Sequence, residues 1–423
     1  MQDIFKRRRI TALSVLKSIE NIKNIILNNF TKFIIFIILP QYYFLLLIFN
    51  EINNIRALNY VCKNKYKKTP TRVLHLPTSV GGNSYGLSRA ERKLGLESDV
   101  LTIDSSYLGY PSDVSFHLTG DRYKNMFKIF SFIYKINKKY NVFHFNFGSS
   151  LYTDSNKFLN FIDLNLYNKG SKLIVTYNGC DCRQKDKIIK KYDICACSDD
   201  ECYNGACNSK KINIKKKRRI KKMVKFCDTV FYLNPDLKQF LPESSVFLPY
   251  SIATWDMISN SDRVYNYPLK IVHAPSQRGA KGTKHILSII EEIKRNFPDK
   301  IKFILVEGMK NSEAIKIYEQ ADILIDQIFV GWYGALSVEA MKAGCAVMVY
   351  IREEDLQYVP SNMHEDIKRT FINCNKNNLY EKIAEIIEYP DNLIKYSKYS
   401  FEYVNTWHNP EYVASITKKY YGF

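Results

Sequence analysis

The chain has 423 residues, 46% of them hydrophobic and 14% aromatic, which is enough to bury the cores of two or three domains and excludes a disordered chain. It carries 62 Lys+Arg against 42 Asp+Glu, a formal charge of +20 with a pI of about 9.3. That excess favours anionic partners, whether phosphates, acidic lipid headgroups or nucleic acid.

The positive charge is concentrated in two blocks. Residues 1–70 contain twelve Lys or Arg and three acids, a net charge of +9, and residues 208–226 contain ten Lys or Arg and no acid. Either block could lie along an anionic membrane surface. For the second block, a solvated basic helix face is the alternative that the pattern favours.

An apolar segment lies within the first basic block. Residues 33–49 read FIIFIILPQYYFLLLIF, 17 residues interrupted by Pro40-Gln41, whereas a spanning helix needs about 20 apolar residues. The segment is too far from Met1 for a signal peptide, and its two basic flanks define no orientation. We expect residues 1–70 to form a membrane-associating extension that holds the protein at the cytoplasmic face, peripherally, monotopically or by a single span. A helix packed on the body of the protein is the alternative.

After a polar linker near residue 70, apolar runs typical of buried strands alternate with helical patterns. We predict strands at 72–77, 98–103, 141–145, 172–177, 229–233, 245–248, 270–274, 301–306, 322–326 and 346–350. We predict helices at 85–94, 122–140, 158–167, 215–226, 285–296, 312–320 and 335–342. The alternation indicates an α/β protein with two Rossmann-like domains, at 71–262 and 263–400, followed by a helical tail at 401–423.

Two features follow predicted strands of the first domain. Gly81 and Gly82 come after the first strand and open a helix, where backbone N–H groups could approach an anion, although a plain tight turn is as compatible with them. His144 ends the strand at 141–145, which places an imidazole at a strand's carboxyl edge. A lone histidine in that position is more often structural.

The second domain offers charged groups near predicted helix starts. Arg278 and Lys281 lie in a glycine-containing loop suited to phosphate neutralisation. Gly334 precedes a helix that carries Glu339, and a carboxylate there can accept two hydrogen bonds from a ribose diol. The alternative for Glu339 is a surface residue paired with Lys342.

In combination these motifs resemble the GT-B glycosyltransferases of the retaining family 4 over about residues 71–423. The matching residues, in the family's order, are Gly81-Gly82, His144, Lys281-Gly282 and Glu339-Ala340-Met341. The resemblance implies two Rossmann-like domains that face each other across a cleft. It also implies a hexosyltransferase that moves a sugar from a nucleotide-sugar donor, with retention of configuration and without a catalytic metal, in cell-surface polysaccharide or glycolipid synthesis. The acceptor is then a glycan or a lipid-linked molecule.

The resemblance also implies roles for individual residues. Arg278 and Lys281 would neutralise the diphosphate, and the helix start at Gly334 would face it. Glu339 would hold the ribose, and His144 would lie at the sugar or the acceptor, which makes these two the predicted catalytic residues. Gly81 and Gly82 would border the phosphates and the acceptor.

Two departures from the family pattern bear on activity. Eight residues before Glu339, where the family has a first glutamate, this chain has Gly331, and the family's arginine would fall at Ser276 rather than Arg278. The loss of that glutamate leaves open an alternative, a catalytically impaired module that binds sugar nucleotides or glycans. No nucleic-acid-binding motif accompanies the basic charge, and we expect no nucleic-acid partner.

Six of the ten cysteines fall within 28 residues, in a segment with little apolar content. They are Cys180, Cys182, Cys195, Cys197, Cys202 and Cys207. Such a segment cannot fold on a core of its own, so a structural zinc ion is the first expectation for the insertion at 180–207. Free thiols and disulfides are the alternatives, and the spacing identifies no ligand set.

Overall fold

The structure is a computed structural model that describes residues 37–52, 70–103, 107–154, 159–199, 202–260 and 263–422. The strands are β1 (Arg72–Leu76), β2 (Glu97–Ile103), β3 (Val114–Phe116), β4 (Val142–Asn146), β5 (Lys172–Tyr177), β6 (Thr229–Tyr232), β7 (Val246–Phe247), β8 (Leu269–His273), β9 (Ile301–Leu305), β10 (Ile323–Ile325), β11 (Ala346–Val349) and β12 (Ile372–Asn373). The helices are α1 (37–52), α2 (Asn83–Lys93), α3 (Arg122–Ile136), α4 (Lys185–Lys191), α5 (Lys210–Phe226), α6 (Arg278–Lys281), α7 (Thr283–Asn296), α8 (Asn311–Tyr318), α9 (Ala335–Lys342), α10 (His364–Thr370), α11 (Leu379–Glu388), α12 (Asn392–Trp407) and α13 (Pro410–Tyr421).

The strands form two parallel sheets, as the sequence predicts. The first has the order β3-β2-β1-β4-β5-β6-β7 and the second the order β12-β11-β10-β8-β9. Every strand pair is parallel. All four residues of β11 are buried, which explains its continuous apolar run, because a parallel strand is covered on both faces.

The chain divides into two compact units, one of which contains both sheets. The other contains α1 together with Leu118–Lys138, which includes α3, and Ile162–Gly170. Within this smaller unit α1 packs against α3. The Tyr42 hydroxyl lies 2.8 Å from Ser131 Oγ, and the Tyr43 and Phe130 ring centroids are 5.1 Å apart.

The helix α1 has one buried and one exposed apolar face. Leu39 and Leu46 are buried, whereas Phe44 is 62% exposed. Within the ranges that the structure describes, no helix has the length and apolar character required to cross a bilayer. The rest of the predicted 1–70 extension, including its basic flanks, lies outside the described residues.

The helix predicted at 158–167 is replaced by a turn and a short 3-10 helix at Ile162–Leu166. Phe161 adopts a φ of +60°, which interrupts a right-handed helix. The strands β3 and β12 were not predicted, because each is only two or three residues long and includes an exposed polar residue, Ser115 in β3 and Asn373 in β12.

The C-terminal tail is helical, as predicted, and its last helix returns to the first sheet's domain. α13 packs on α2, where Thr417 Oγ1 donates to Glu91 Oε1 at 3.1 Å and the Tyr421 hydroxyl donates to the same oxygen.

Candidate functional site

A cavity of about 170 Å³ opens beside the carboxyl ends of β8, β9 and β10, the edge of an open α/β sheet where ligands bind. Its walls come from both halves of the larger unit. The lining residues are Tyr107, Leu108, Tyr110, Ala274, Pro275, Ser276, Lys281, Val306, Glu307, Gly308, Met309, Asn311, Ala314, Tyr318, Ala335, Leu336 and Glu339.

The two halves of the larger unit, one built around each sheet, are joined by hydrogen bonds at this cavity. The Asn311 N–H donates to the Leu108 carbonyl at 3.0 Å. Thr254 Oγ1, from the segment between the sheets, donates to Glu339 Oε1 at 3.2 Å. The cavity therefore lies in a cleft between the two halves, and Glu339 lies where they meet.

Glu339 is the buried acid of the cavity, with 2% of its surface exposed. Asn311 Nδ2 donates to both carboxylate oxygens, at 3.0 and 3.2 Å. Burial raises the pKa of Glu339 to about 7, although the hydrogen bonds from Asn311 and Thr254 act in the opposite direction. The alternative pairing with Lys342 does not occur, since the Lys342 ammonium donates to Asn405.

Lys281 also lines the cavity, and its ammonium forms a buried ion pair. Its Nζ lies 2.6 Å from Asp326 Oδ1, while Asp326 Oδ2 accepts from the Gly334 N–H at 2.8 Å and from Ser337 Oγ at 2.7 Å. Burial alone would raise the pKa of Asp326, but Lys281 and these donors hold it below its usual value. The backbone donor at Gly334 is thus already taken by a protein carboxylate.

Arg278 lies one contact away from the cavity. Its guanidinium forms a two-pronged ion pair with the cavity residue Glu307, at 2.8 and 2.5 Å, and its side chain is 59% exposed. The hydrogen bond from Arg278 lowers the pKa of the Glu307 carboxyl. To bind a ligand, the Arg278 guanidinium would have to leave the Glu307 carboxylate or contact Glu307 and the ligand at the same time.

Gly81 and Gly82 form the wall behind the cavity, with φ of +63° and +69°. A Cβ on Gly82 would lie 2.9 Å from the ring of the cavity residue Tyr110, and a Cβ on Gly81 would lie 3.6 Å from Ala335 Cβ. Gly82 therefore lets the backbone approach Tyr110 and Ala253 closely, whereas a Cβ on Gly81 would make only an ordinary contact with the start of α9.

The structure does not bring His144 to the cavity. His144 is buried, with Nδ1 3.1 Å from the Tyr421 hydroxyl and Nε2 2.6 Å from Thr176 Oγ1. Burial lowers the pKa of His144 well below its usual value, and His75 adds to this. Its role at the sugar or acceptor remains a prediction that no contact in the described residues supports.

The same network contains a candidate ligand triad. One nitrogen or oxygen atom from each of His75, Glu91 and His144 lies within 4.8 Å of the other two. His75 Nε2 is 2.8 Å from Glu91 Oε2, which also accepts from Ser98 Oγ at 2.7 Å. Since His75, Glu91 and His144 each already have hydrogen-bond partners, the network is a hydrogen-bonded link between α2, the first sheet and α13.

The Arg352 guanidinium packs so closely on position 331 that it leaves no room for a side chain there. Gly331 has a φ of +85°, and a Cβ there would lie 2.4 Å from Arg352 Nη1. Arg352 is fixed by Asp355 at 2.8 Å and by the Ile194 carbonyl at 3.0 Å, and its guanidinium lies 3.7 Å from the Tyr192 ring centroid. The space that the family's first glutamate would need is therefore filled by an arginine.

Sequence analysis missed Asn311, Thr254 and Tyr110, and it could not assign Asp326. Asn311 and Thr254 touch Glu339 from different parts of the chain and belong to no motif. For Asp326 a signal was present, since it is an acid that directly follows the buried strand β10.

The chain matches no protein-family model and no curated protein. It is similar in structure to the sucrose-phosphate synthase from Thermosynechococcus elongatus, with a TM-score of 0.51 at 13% identity over 84% of this chain and 98% of that one. It is also similar to an α-glucosyltransferase in complex with UDP-glucose and DNA containing an abasic site, with a TM-score of 0.53 at 11% identity over 84% of this chain and 100% of that one.

These similarities, with the two parallel sheets and the cleft, identify the fold as GT-B, as the sequence analysis expected. At such low identity they establish the fold alone. Because the second of these proteins holds DNA, the expected absence of a nucleic-acid partner does not follow from the fold.

Proposed function

We propose that the protein is a glycosyltransferase that binds a nucleotide-sugar donor in the cleft and transfers the sugar to an acceptor. The observation that carries this proposal is that Glu339 and Lys281, a carboxylate residue and a cationic one, line the same cavity. A nucleotide sugar needs both groups, an acceptor for the ribose hydroxyls and a cation for the diphosphate. The GT-B fold, shared with two proteins named as a sugar synthase and a glucosyltransferase, supports this assignment.

Glu339 would accept hydrogen bonds from the ribose diol in its ionised form. It is held in place for this by Asn311 and Thr254, so binding would need little reorganisation. Lys281 would face the diphosphate from its pair with Asp326, and Arg278 would join from its pair with Glu307. As the bond between the sugar carbon and the diphosphate breaks, these cations would stabilise the charge that builds on the leaving group.

We further propose a retaining, metal-independent hexosyl transfer, as the family resemblance implies. The acceptor oxygen would form the new bond on the face of the sugar that the diphosphate leaves, and its proton would pass to the oxygen of the departing diphosphate. Since position 331 cannot place a carboxylate beside the donor, leaving-group stabilisation by Lys281 and Arg278 would have to supply more of the catalysis.

The acceptor that we propose is a glycan or a lipid-linked molecule at the cytoplasmic face of a membrane, in surface polysaccharide or glycolipid synthesis. Two surfaces support a membrane location. α1 exposes apolar side chains, and α5 exposes seven cationic ones without an acid in the helix. The exposed cations of α5 are Lys210, Lys211, Lys215, Lys217, Arg218, Lys221 and Lys225. Salt-sensitive binding to anionic liposomes, but not to RNA or DNA of equal charge, is the expected result.

A second candidate function, a binding module that no longer turns over, is favoured by Gly331 alone. One experiment separates it from the transferase. Purified full-length protein is screened against UDP-, GDP- and other nucleotide sugars by thermal shift, and the best ligand is then tested for sugar release and transfer. A donor at 100 times its Kd should stabilise the fold by about 2.7 kcal/mol. Stabilisation with turnover supports the transferase, stabilisation without turnover supports the module, and no stabilisation by any donor contradicts both.

A further inference from the structure

The histidine at the joint between the last two helices is fully buried and has a partner for each ring nitrogen. His408 follows α12 and lies just before α13. Its Nδ1 lies 2.8 Å from the carbonyl oxygen of Tyr250, and its Nε2 lies 2.9 Å from the Tyr333 hydroxyl. One imidazole therefore joins two segments that are distant in the sequence.

These contacts fix the direction of each hydrogen bond. A carbonyl oxygen can only accept, so Nδ1 of His408 carries the proton and Nε2 accepts from the Tyr333 hydroxyl. Because the Tyr333 proton is used there, its oxygen accepts from the Tyr403 hydroxyl at 2.9 Å. Burial lowers the pKa of His408 to about 4, although the bond to Tyr250 acts in the opposite direction. The ring is therefore neutral near neutral pH, as this arrangement requires.

The Tyr333 hydroxyl belongs to the turn that leads into the cavity wall. The buried Tyr333 ring stacks on Trp332, with 4.5 Å between the ring centroids. The helix α9 begins two residues after Tyr333, and three of its residues line the cavity, namely Ala335, Leu336 and Glu339. A shift of Tyr333 would therefore move the start of the helix that carries Glu339.

The carbonyl that His408 binds belongs to a segment on the other side of Glu339. Tyr250 lies between the two sheets in the sequence, and four residues further on Thr254 Oγ1 donates to Glu339 Oε1 at 3.2 Å. His408 thus holds the backbone that precedes Thr254 and, through Tyr333, the turn that precedes Glu339.

The imidazole is attached to a firmly held part of the backbone. The helix α12 packs on α9 and β11 of the second half, whereas α13 packs on α2 of the first half. The His408 N–H donates to the Val404 carbonyl at 2.9 Å, and Asn409 Oδ1 accepts from the Glu411 N–H at 2.9 Å at the start of α13. The joint that carries His408 is therefore fixed on both halves.

We propose that His408 is a positioning residue of the donor site, which through Tyr250 and Tyr333 sets the position of Thr254 relative to Glu339. None of His408, Tyr250 and Tyr333 is among the described residues that line the cavity, so His408 acts through its two partners. A carboxylate that is already in place binds a ribose diol with little reorganisation. The effect on donor binding rests on the proposed function, whereas the link from His408 to α9 does not.

Two substitutions separate the two bonds of the imidazole. H408Q places an amide oxygen near the position of Nε2 and can accept from Tyr333, whereas H408N places an amide N–H near Nδ1 and keeps only the bond to Tyr250. Y333F removes the hydroxyl and leaves His408 unchanged, so it makes the same test if H408N does not fold. The matched control T417V removes a different buried hydrogen bond of the tail, from Thr417 to Glu91.

The first measurement needs no donor. Hydrogen exchange of the full-length proteins without ligand, read by mass spectrometry, reports how firmly residues 331–342 are held. In this segment we expect exchange at least about fivefold faster in H408N and Y333F than in the wild type, the equivalent of one lost hydrogen bond. H408Q and T417V should exchange there at the wild-type rate. Wild-type exchange in Y333F would overturn the proposal, whatever the activity of the protein.

The second measurement is the affinity for the nucleotide sugar that stabilises the wild-type protein most, by titration calorimetry. The Kd should rise at least about fivefold in H408N and Y333F and stay at the wild-type value in H408Q and T417V. Faster exchange with unchanged affinity, or an equal loss of affinity in T417V, would overturn the positioning role. If the wild-type protein binds no nucleotide sugar, the proposed function fails, and the exchange result alone decides whether His408 holds the turn.

Discussion

Lys281 Nζ lies 2.6 Å from Asp326 Oδ1, so the cation that faces the cleft is fixed from behind by a fully buried carboxylate. Through its second oxygen Asp326 also binds the Gly334 N–H and Ser337 Oγ at the start of α9. One side chain thus connects α6, which ends at Lys281, to the helix that carries Glu339. The relative position of the two predicted donor-binding groups depends on Asp326.

Replacing Asp326 should therefore cost stability as well as activity. In D326N, Lys281 loses its buried partner, and breaking such a pair lowers the free energy of unfolding by about 3–5 kcal/mol. The matched control is E307Q, which breaks the exposed pair with Arg278 and should cost less than about 1 kcal/mol. Chemical denaturation of both variants measures the difference, and equal losses would show that the buried pair has no special role.

The ribose role of Glu339 predicts a large kinetic effect. In E339A a charge-assisted hydrogen bond of about 1.5–3 kcal/mol is lost, so kcat/KM for the donor should fall by about 10- to 150-fold. The control is E313A on α8, where the glutamate is exposed. Steady-state kinetics should show no change in E313A, and an unchanged kcat/KM in E339A would refute the role.

The raised pKa of Glu339 predicts a pH-dependent stability. The pKa of Glu339 is about 7 in the folded protein, against 4.5 for an ordinary glutamate such as one in the unfolded chain. Between these two pH values the folded state therefore binds a proton that the unfolded state has lost. Stability should fall as pH rises through this window, by about 3 kcal/mol in total, and E339Q should remove that part of the slope. Denaturation from about pH 5 to about pH 8 tests this. A wild-type slope identical to that of E339Q would mean that Glu339 ionises normally.

Donor binding should have the opposite pH dependence. The ribose hydroxyls prefer the ionised carboxylate, so donor affinity should rise as pH increases towards and beyond about 7. In E339Q the affinity should be weaker and flat over the same range. Titration calorimetry would measure both, and a flat profile for the wild type would contradict the assignment.

Introducing a glutamate at position 331 should not improve activity. A side chain there would strain a backbone with φ of +85° and collide with the Arg352 guanidinium. G331E and G331A should both lower the melting temperature, while the control G120A, where a new Cβ meets nothing within 4 Å, should not. Increased turnover in a stable G331E protein would show that the space is available after all.

The fold could be predicted from the sequence because buried parallel strands leave long apolar runs. Both sheets follow from that pattern. The loop predicted around Arg278 and Lys281 is instead the short helix α6, because one turn of helix is too short to show a helical period. The helix predicted at 158–167 is wrong because a single positive φ at Phe161 outweighs an amphipathic pattern.

The site could be predicted only where a residue belongs to a local motif. Glu339 and Lys281 do, and they line one cavity. Asn311 and Thr254 contact Glu339 through tertiary packing, which leaves no signal at their own positions. His144 is the opposite case, a residue that the motif places in the site but the structure does not. Its position near the end of a strand is typical both of a site residue and of a buried structural histidine.

The most direct test of the account is a crystal structure of the protein with the nucleotide sugar that stabilises it most. We predict the ribose diol within about 2.6–3.2 Å of the Glu339 carboxylate and the diphosphate against the Lys281 ammonium. A nucleotide bound outside the cleft, or one in the cleft whose ribose faces away from Glu339, would contradict the account.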